Sequence, residues 1–187
     1  MDFSTTALQV AFFLRTACMG RRKLADEIGL GEMAVRLELD RLRDAGLVQC
    51  ERAGCRLTDK GHRAFGAMLK IVRQVETVDL AGLRIDAISM AALLSGPTDG
   101  PSAWQLRDAV IREGAAGLIL LTRRSAEWAF SHDGEPIRAQ NEIDANNLED
   151  AFPEALDGDS MLICAAPDRV RCSAGLWGAV RIFSAKP

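Results

Sequence analysis

The stretch Arg21-Arg-Lys-Leu-Ala-Asp-Glu-Ile-Gly-Leu-Gly-Glu-Met-Ala-Val-Arg-Leu-Glu-Leu-Asp-Arg-Leu-Arg-Asp-Ala-Gly46 decides how the first part of this 187-residue chain folds. Leu24, Ala25 and Ile28 fall at i, i+1 and i+4, which predicts a short helix over 21–28 that ends in a left-handed Gly29. A tight turn through Leu30 and Gly31 follows. From Glu32 to Ala45 the apolar residues Val35, Leu39 and Leu42 recur at i, i+4 and i+7, one buried stripe of a second helix that stops at Gly46. Two helices joined by a short glycine-bearing turn make a helix-turn-helix.

Working outward, Leu8, Phe12 and Arg15 share a helical face with Ala11 beside them, and Thr5 or Thr6 is the expected cap of that first helix. After Gly46 the period changes. Leu47 and Val48 lead into an extended run, Glu51 to Gly54 supply a turn, and Cys55 to Leu57 return, which predicts a two-stranded hairpin. Thr58 then caps a long helix expected to run from Asp59 to Val75, with Phe65, Leu69, Val72 and Glu76 at four-three-four spacing. Its apolar stripe serves either dimerisation or packing on the first helix.

These residues also carry a resemblance. The strings Leu24-Ala-Asp-Glu-Ile-Gly-Leu-Gly31, Val35-Arg36, Arg41-Leu42, Gly46-Leu47-Val48 and Leu57-Thr-Asp-Lys-Gly61 together resemble the winged helix-turn-helix transcription regulators of prokaryotes, over roughly the first 70 residues. Glu32 and Ala34 depart from that pattern, where Ser or Thr often opens the recognition helix. The resemblance implies double-stranded DNA as partner. In such a fold the third helix enters the major groove, while phosphates are held by the start of the second helix and by the wing.

With Val35, Leu39 and Leu42 inward, the groove-facing set is Met33, Arg36, Leu37 and Asp40. Arg36 is the expected base reader, because a guanidinium can make a bidentate contact to guanine. Arg21, Arg22 and Lys23 open the second helix, Arg52 and Arg56 lie on the wing, and Lys60 begins the next helix. The competing reading is a merely solvated face, since Glu32, Glu38, Asp40 and Asp44 lie among these cations.

Charge divides the same way. The chain carries a formal −3, yet it is +3 up to Glu76 and −6 beyond it, so the acidity belongs mostly to a part that need not touch DNA. The expected organisation is a winged-helix domain over 1–76, a linker over 77–84 and an α/β effector-binding or dimerisation domain over 85–187. No uncharged apolar run approaches the roughly 18 residues a membrane span needs. Nor does the N-terminus have the basic region of a secretory signal, so a cytoplasmic, non-membrane protein is expected.

In the second part, Leu83 to Leu94, Gly117 to Thr122, Glu127 to Phe130 and Met161 to Ala165 read as strands, and Leu176 to Phe183 as at least one more. Ser102 and Gln105 form a capping box for a helix to about Glu113, and Asn146 with Glu149 is expected to cap a short helix through Phe152. The overall expectation is α+β: a winged helix, then a small α/β sandwich of the split βαβ or ferredoxin-like plan (βαββαβ) with an added C-terminal strand. Gln105-Leu-Arg-Asp-Ala-Val-Ile-Arg-Glu-Gly-Ala-Ala-Gly117 is similar to an uncharacterised domain that follows a winged helix in archaeal proteins, which implies association with a DNA-binding module and no chemistry.

Candidate ligand groups here are few. Arg107 with Asp108 either faces an effector or forms an ordinary surface pair. Ser95 to Ser102 is a glycine-bearing loop before a helix but lacks the Gly-Lys-Ser/Thr of a P-loop and carries Asp99, and His132-Asp133 has no nucleophile nearby in sequence. No catalytic residue, metal ligand or cofactor is therefore expected. Of the five cysteines, Cys50 and Cys55 flank the wing turn. They are either small buried hydrophobes or a redox or metal switch on a DNA-contacting element. A DNA-binding regulator, homodimeric and responsive to a small effector, is the leading expectation. An enzyme fused to a regulatory winged helix, and a winged helix used for protein–protein assembly, are the alternatives.

Overall fold

Why the expected long helix after the wing fails is written in its second half, where Val72, Val75, Thr77 and Val78 bring a β-branched pattern. The computed structural model, which describes residues 3–96 and 101–184, puts Val72–Val78 in a strand instead. Helix α4 (Asp59–Ala64) breaks at Phe65, α5 (Gly66–Ile71) follows, and the chain divides into units Met1–Leu69 and Lys70–Pro187. The first domain therefore ends before 76, and the residues 72–78 belong to the second unit's sheet rather than to a helix and a linker. An apolar helical stripe running to Val75, read for either dimerisation or packing on the first helix, does not form.

In the first unit, α1 (Thr5–Phe13), α2 (Arg21–Ile28) and α3 (Glu32–Asp44) pack around Leu8, Val10, Phe12, Leu24, Ile28, Val35, Leu39 and Leu42, all buried. Ser4, not Thr5 or Thr6, caps α1, its Oγ accepting from the Ala7 N–H at 2.9 Å. Helix α2 ends at Gly29 with φ +77°, as its sequence dictates. Strands β1 (Val48–Glu51) and β2 (Gly54–Leu57) form the hairpin, in the register Val48 to Leu57 and Cys50 to Cys55. A third strand position joins it: Met19 pairs with Cys55 through N–H···O bonds of 2.9 and 2.8 Å. The result is a winged helix.

The second unit is a five-stranded antiparallel sheet in the order β3-β4-β7-β5-β6, made of β3 (Val72–Val78), β4 (Ile88–Leu94), β5 (Gly117–Arg124), β6 (Glu127–Phe130) and β7 (Ser160–Ala166). Strand β7 is buried along its whole length and β4 nearly so, because helices cover both faces. On one face, α7 (Glu142–Ala151) closes a core of Leu93, Leu121, Trp128, Leu148, Phe152 and Met161. On the other, α6 (Ala103–Arg112) and α8 (Arg169–Ser184) pack on each other and on the sheet. The βαββαβ series is present from β4 to β7, with β7 inserted between β4 and β5.

Two expectations change here. The extra strand is β3, at the front of the unit, and Leu176 to Phe183 lie in helix α8 rather than in a C-terminal strand. Short runs of apolar residues fit either element; Cys172, Gly175, Leu176 and Ala179 share a helical face, and Gly175 has no room for a Cβ between Ala115 and Cys164. Asn146 and Glu149 sit within α7, whose N-cap is Asn141, so they cap nothing. Ser102 and Gln105 do form the capping box of α6. Among the described residues no helix is long and apolar enough to cross a membrane.

Candidate nucleic-acid interface

Helix α3 buries Val35, Leu39 and Leu42 and turns the opposite face to solvent. Met33 is 73% and Leu37 56% exposed, large apolar side chains one helical turn apart, with Arg36 and Asp40 beside them.

Around this helix the backbone prepares two further contacts. Helix α2 starts at Gly20 and α3 at Gly31, and neither first turn receives a side-chain cap, whereas Ser4 and Thr58 cap α1 and α4. Uncapped N–H groups beside Arg21 and Arg22 suit a phosphate. The Met19–Cys55 pairing ties the start of α2 to the wing, and the approach is so close that a Cβ on Gly54 would lie 2.7 Å from the Met19 carbonyl carbon. Between α2, α3 and the wing lies a cavity of about 540 Å³ lined by Arg21, Arg22, Asp40, Arg43, Arg52 and both cysteines of the wing, among others. Of the residues expected at the interface, Arg21, Arg22, Asp40 and Arg52 thus meet in one groove, while Lys23, Met33, Arg36, Leu37, Arg56 and Lys60 lie outside its lining.

The acids among these cations have defined partners. Asp40 sits between Arg43, at 2.9 Å, and Arg36, at 4.0 Å, and Glu38 holds Arg41 at 3.5 Å. On the wing Glu51 lies 3.6 Å from Arg56. Glu38 is buried, but the Asp40 and Glu51 pairs are exposed, and pairs of that kind contribute about 0–1 kcal/mol, so a phosphate can compete for their guanidiniums. Lys60 is engaged differently: its Nζ donates to the Ala45 carbonyl oxygen at the end of α3. Arg43, which sequence reasoning passed over, lines the groove; its spacing of three from Asp40 was the available signal.

The wing cysteines are not small buried hydrophobes. Cys50 is exposed and forms a disulfide with the buried Cys55 directly opposite it. Because Cys55 spends its backbone hydrogen bonds on Met19, it faces Cys50 as a non-hydrogen-bonded pair, the closer kind in an antiparallel ladder, with Cα atoms 4.0 Å apart. No group of three or more His, Cys, Asp or Glu suited to a metal occurs among the described residues.

In the second unit Arg107 and Asp108 are both exposed on α6, without an ion pair between them among the described residues. Arg107 borders a cavity of about 260 Å³ with Trp104, Leu118 and Leu120. A larger, mainly apolar cavity of about 510 Å³ is lined by Leu118, Leu120, Phe130, Ser131 and His132, among others. His132 lies 2.8 Å from Asp133 on the surface. Residues 97–100 of the glycine-bearing loop, Asp99 included, lie outside the described residues. Cys164 and Cys172 are buried free thiols, and their mutual hydrogen bond together with burial pushes the Cys164 thiol up.

Residues 11–84 match the family model of the CggR N-terminal DNA binding domain. The match covers α2, α3 and the wing, and it supports a DNA-binding regulator. Among solved structures the chain is similar to the hypothetical protein PH0730 from Pyrococcus horikoshii OT3, at 22% identity and a TM-score of 0.73, over 97% of this chain and 93% of that one. That likeness extends the shared fold through the second unit. No curated protein matches the chain.

Proposed function

We propose that the protein is a transcription regulator that binds double-stranded DNA as a homodimer in the cytoplasm, with α3 in the major groove. The observation that carries this reading is the convergence of the uncapped start of α2, the Asp40–Arg43 side of α3 and the wing on one groove bearing Arg21, Arg22, Arg43 and Arg52. Arg36, on the exposed face, reads a base; Arg21, Arg22 and Arg52 grip phosphates. The second unit supplies dimerisation and holds a small, largely apolar effector in the 510 Å³ cavity beside Phe130, rather than turning over a substrate.

Fluorescence anisotropy with the duplex upstream of its own gene tests this. The expected result is salt-sensitive binding that Arg36→Ala weakens, with half-sites about one helical turn apart for a dimer. Absence of binding at low salt would overturn it in favour of protein–protein assembly, the second reading, which the exposed Met33 and Leu37 and the ion-paired arginines of α3 favour.

A further inference from the structure

The wing carries its own covalent clasp. Beyond Val48, strand β1 touches little: Gln49, Cys50 and Glu51 are all exposed. Strand β2 is anchored independently, since Cys55 and Leu57 are buried and Cys55 is bonded to Met19. What holds the outer half of β1, and with it the tip bearing Arg52, is the short ladder to β2, the Glu51–Arg56 ion pair and the Cys50–Cys55 disulfide. A two-stranded ladder of this length is marginal in water, and exposed ion pairs add little, so the disulfide is the dominant tie.

We propose that this disulfide is a redox clasp that gates DNA binding: oxidised, it fixes the wing against the groove; reduced, it releases β1 and Arg52 and weakens the complex. The inference rests on the DNA-binding reading above. DNA is held in reducing compartments, where disulfides are commonly transient and redox-sensing rather than structural. Access fits as well, because Cys50 is exposed and both cysteines line the groove between the wing and α3.

The reductant is a dithiol. Its thiolate attacks the exposed Cys50 sulfur; a mixed disulfide forms there, the Cys50–Cys55 bond breaks, and its electron pair leaves on the Cys55 sulfur, which takes a proton. The second thiol of the reductant then displaces Cys50, which is protonated in turn. The wing has gained two electrons and two protons, and the dithiol has become a disulfide. A carrier in the disulfide form runs the same steps backwards.

The experiment uses the full chain and a duplex recovered from a random-sequence library by the oxidised protein. Affinity is measured by anisotropy with and without dithiothreitol, alongside amide hydrogen exchange and mass spectrometry of alkylated thiols. Reduction is expected to expose two additional thiols, speed exchange over 49–53 and weaken binding about five-fold, the scale of leaving one gripping loop to be ordered on binding. Cys50→Ser, at an exposed position, is expected to melt like the reduced wild type, bind DNA as that form does and ignore dithiothreitol. Cys18→Ser removes the exposed free thiol and is expected to respond as wild type does. Equal affinity in both redox states, or a Cys50→Ser protein that still responds, overturns the gate while the DNA-binding reading stands. Recovery of no duplex at all sinks that reading, and the gate with it.

Discussion

Lys60 donates from Nζ to the carbonyl oxygen of Ala45 at 2.7 Å, so a residue in the first turn of α4 caps the C-terminus of α3. Its neighbours serve the same corner. Thr58 Oγ1 donates to the Gly46 carbonyl and accepts from the Gly61 N–H, and the Thr58 N–H donates to Leu47. A cation on the last carbonyls of a helix also complements its dipole. Lys60→Met is therefore expected to lower stability by about 0.5–1 kcal/mol in urea unfolding while leaving the salt dependence of DNA binding unchanged. A salt slope shallower by about one would make Lys60 a phosphate contact instead.

Asp40 pairs with Arg36 and Arg43 on the solvent-facing side of α3, the face proposed to meet DNA. Asp40→Asn frees Arg36, leaves Arg43 only its 3.6 Å pair with Asp44, and removes a negative charge from the proposed interface. Tighter binding and a steeper salt dependence are expected, read by anisotropy across a salt series. Arg36→Ala is expected to cost about 1–3 kcal/mol and to relax specificity at one base pair.

Gly61 completes the Leu57-Thr-Asp-Lys-Gly string for a steric reason. A Cβ there would run into the Leu47 carbonyl oxygen, with Leu57 Cδ2 3.3 Å away. Gly61→Ala is expected to destabilise the first unit by about 1–3 kcal/mol, since backbone rather than a flexible side chain must move. A melting temperature equal to wild type would contradict this packing.

Asp144 is fully buried and accepts the N–H groups of Ala81 and Leu83, each at 2.6 Å, pinning the segment between β3 and β4 to α7. Asp144→Ala leaves two donors without an acceptor, and a loss of about 2–4 kcal/mol in chemical denaturation is expected. Hydrogen exchange at residues 81 and 83 reports the same event locally.

The first unit was legible because its signals are local. Three apolar residues at helical spacing place α3, and Gly29 ends α2 where a left-handed residue is needed. The outward set on α3 follows by subtraction, which is how Met33, Arg36, Leu37 and Asp40 were found. The disulfide was half legible: the spacing of Cys50 and Cys55 across a turn brought them together, but pairing depends on register, and Met19, far upstream, fixes which pair is close.

The sequence by itself determined the helix-turn-helix, the wing, the two-part charge division and four of the five strands of the second unit, because each is set by periodicity, capping or turn chemistry within a few residues. Tertiary structure decided the rest. The helical spacing read from Asp59 to Val75 gives way at Val72–Val78, whose β-branched residues suit a strand once the edge of β4 offers a ladder, with Arg73 bulging out to reach Asp159 and the Glu154 carbonyl. Leu176 to Phe183 is apolar enough for a strand, and becomes helix because the small residues Gly175 and Gly178 let α8 lie against Ala115, Cys164 and Ala109. In both cases the local preference is worth little, and the choice is settled by a partner surface outside the segment itself, β4 for the strand and Ala109, Ala115 and Cys164 for the helix.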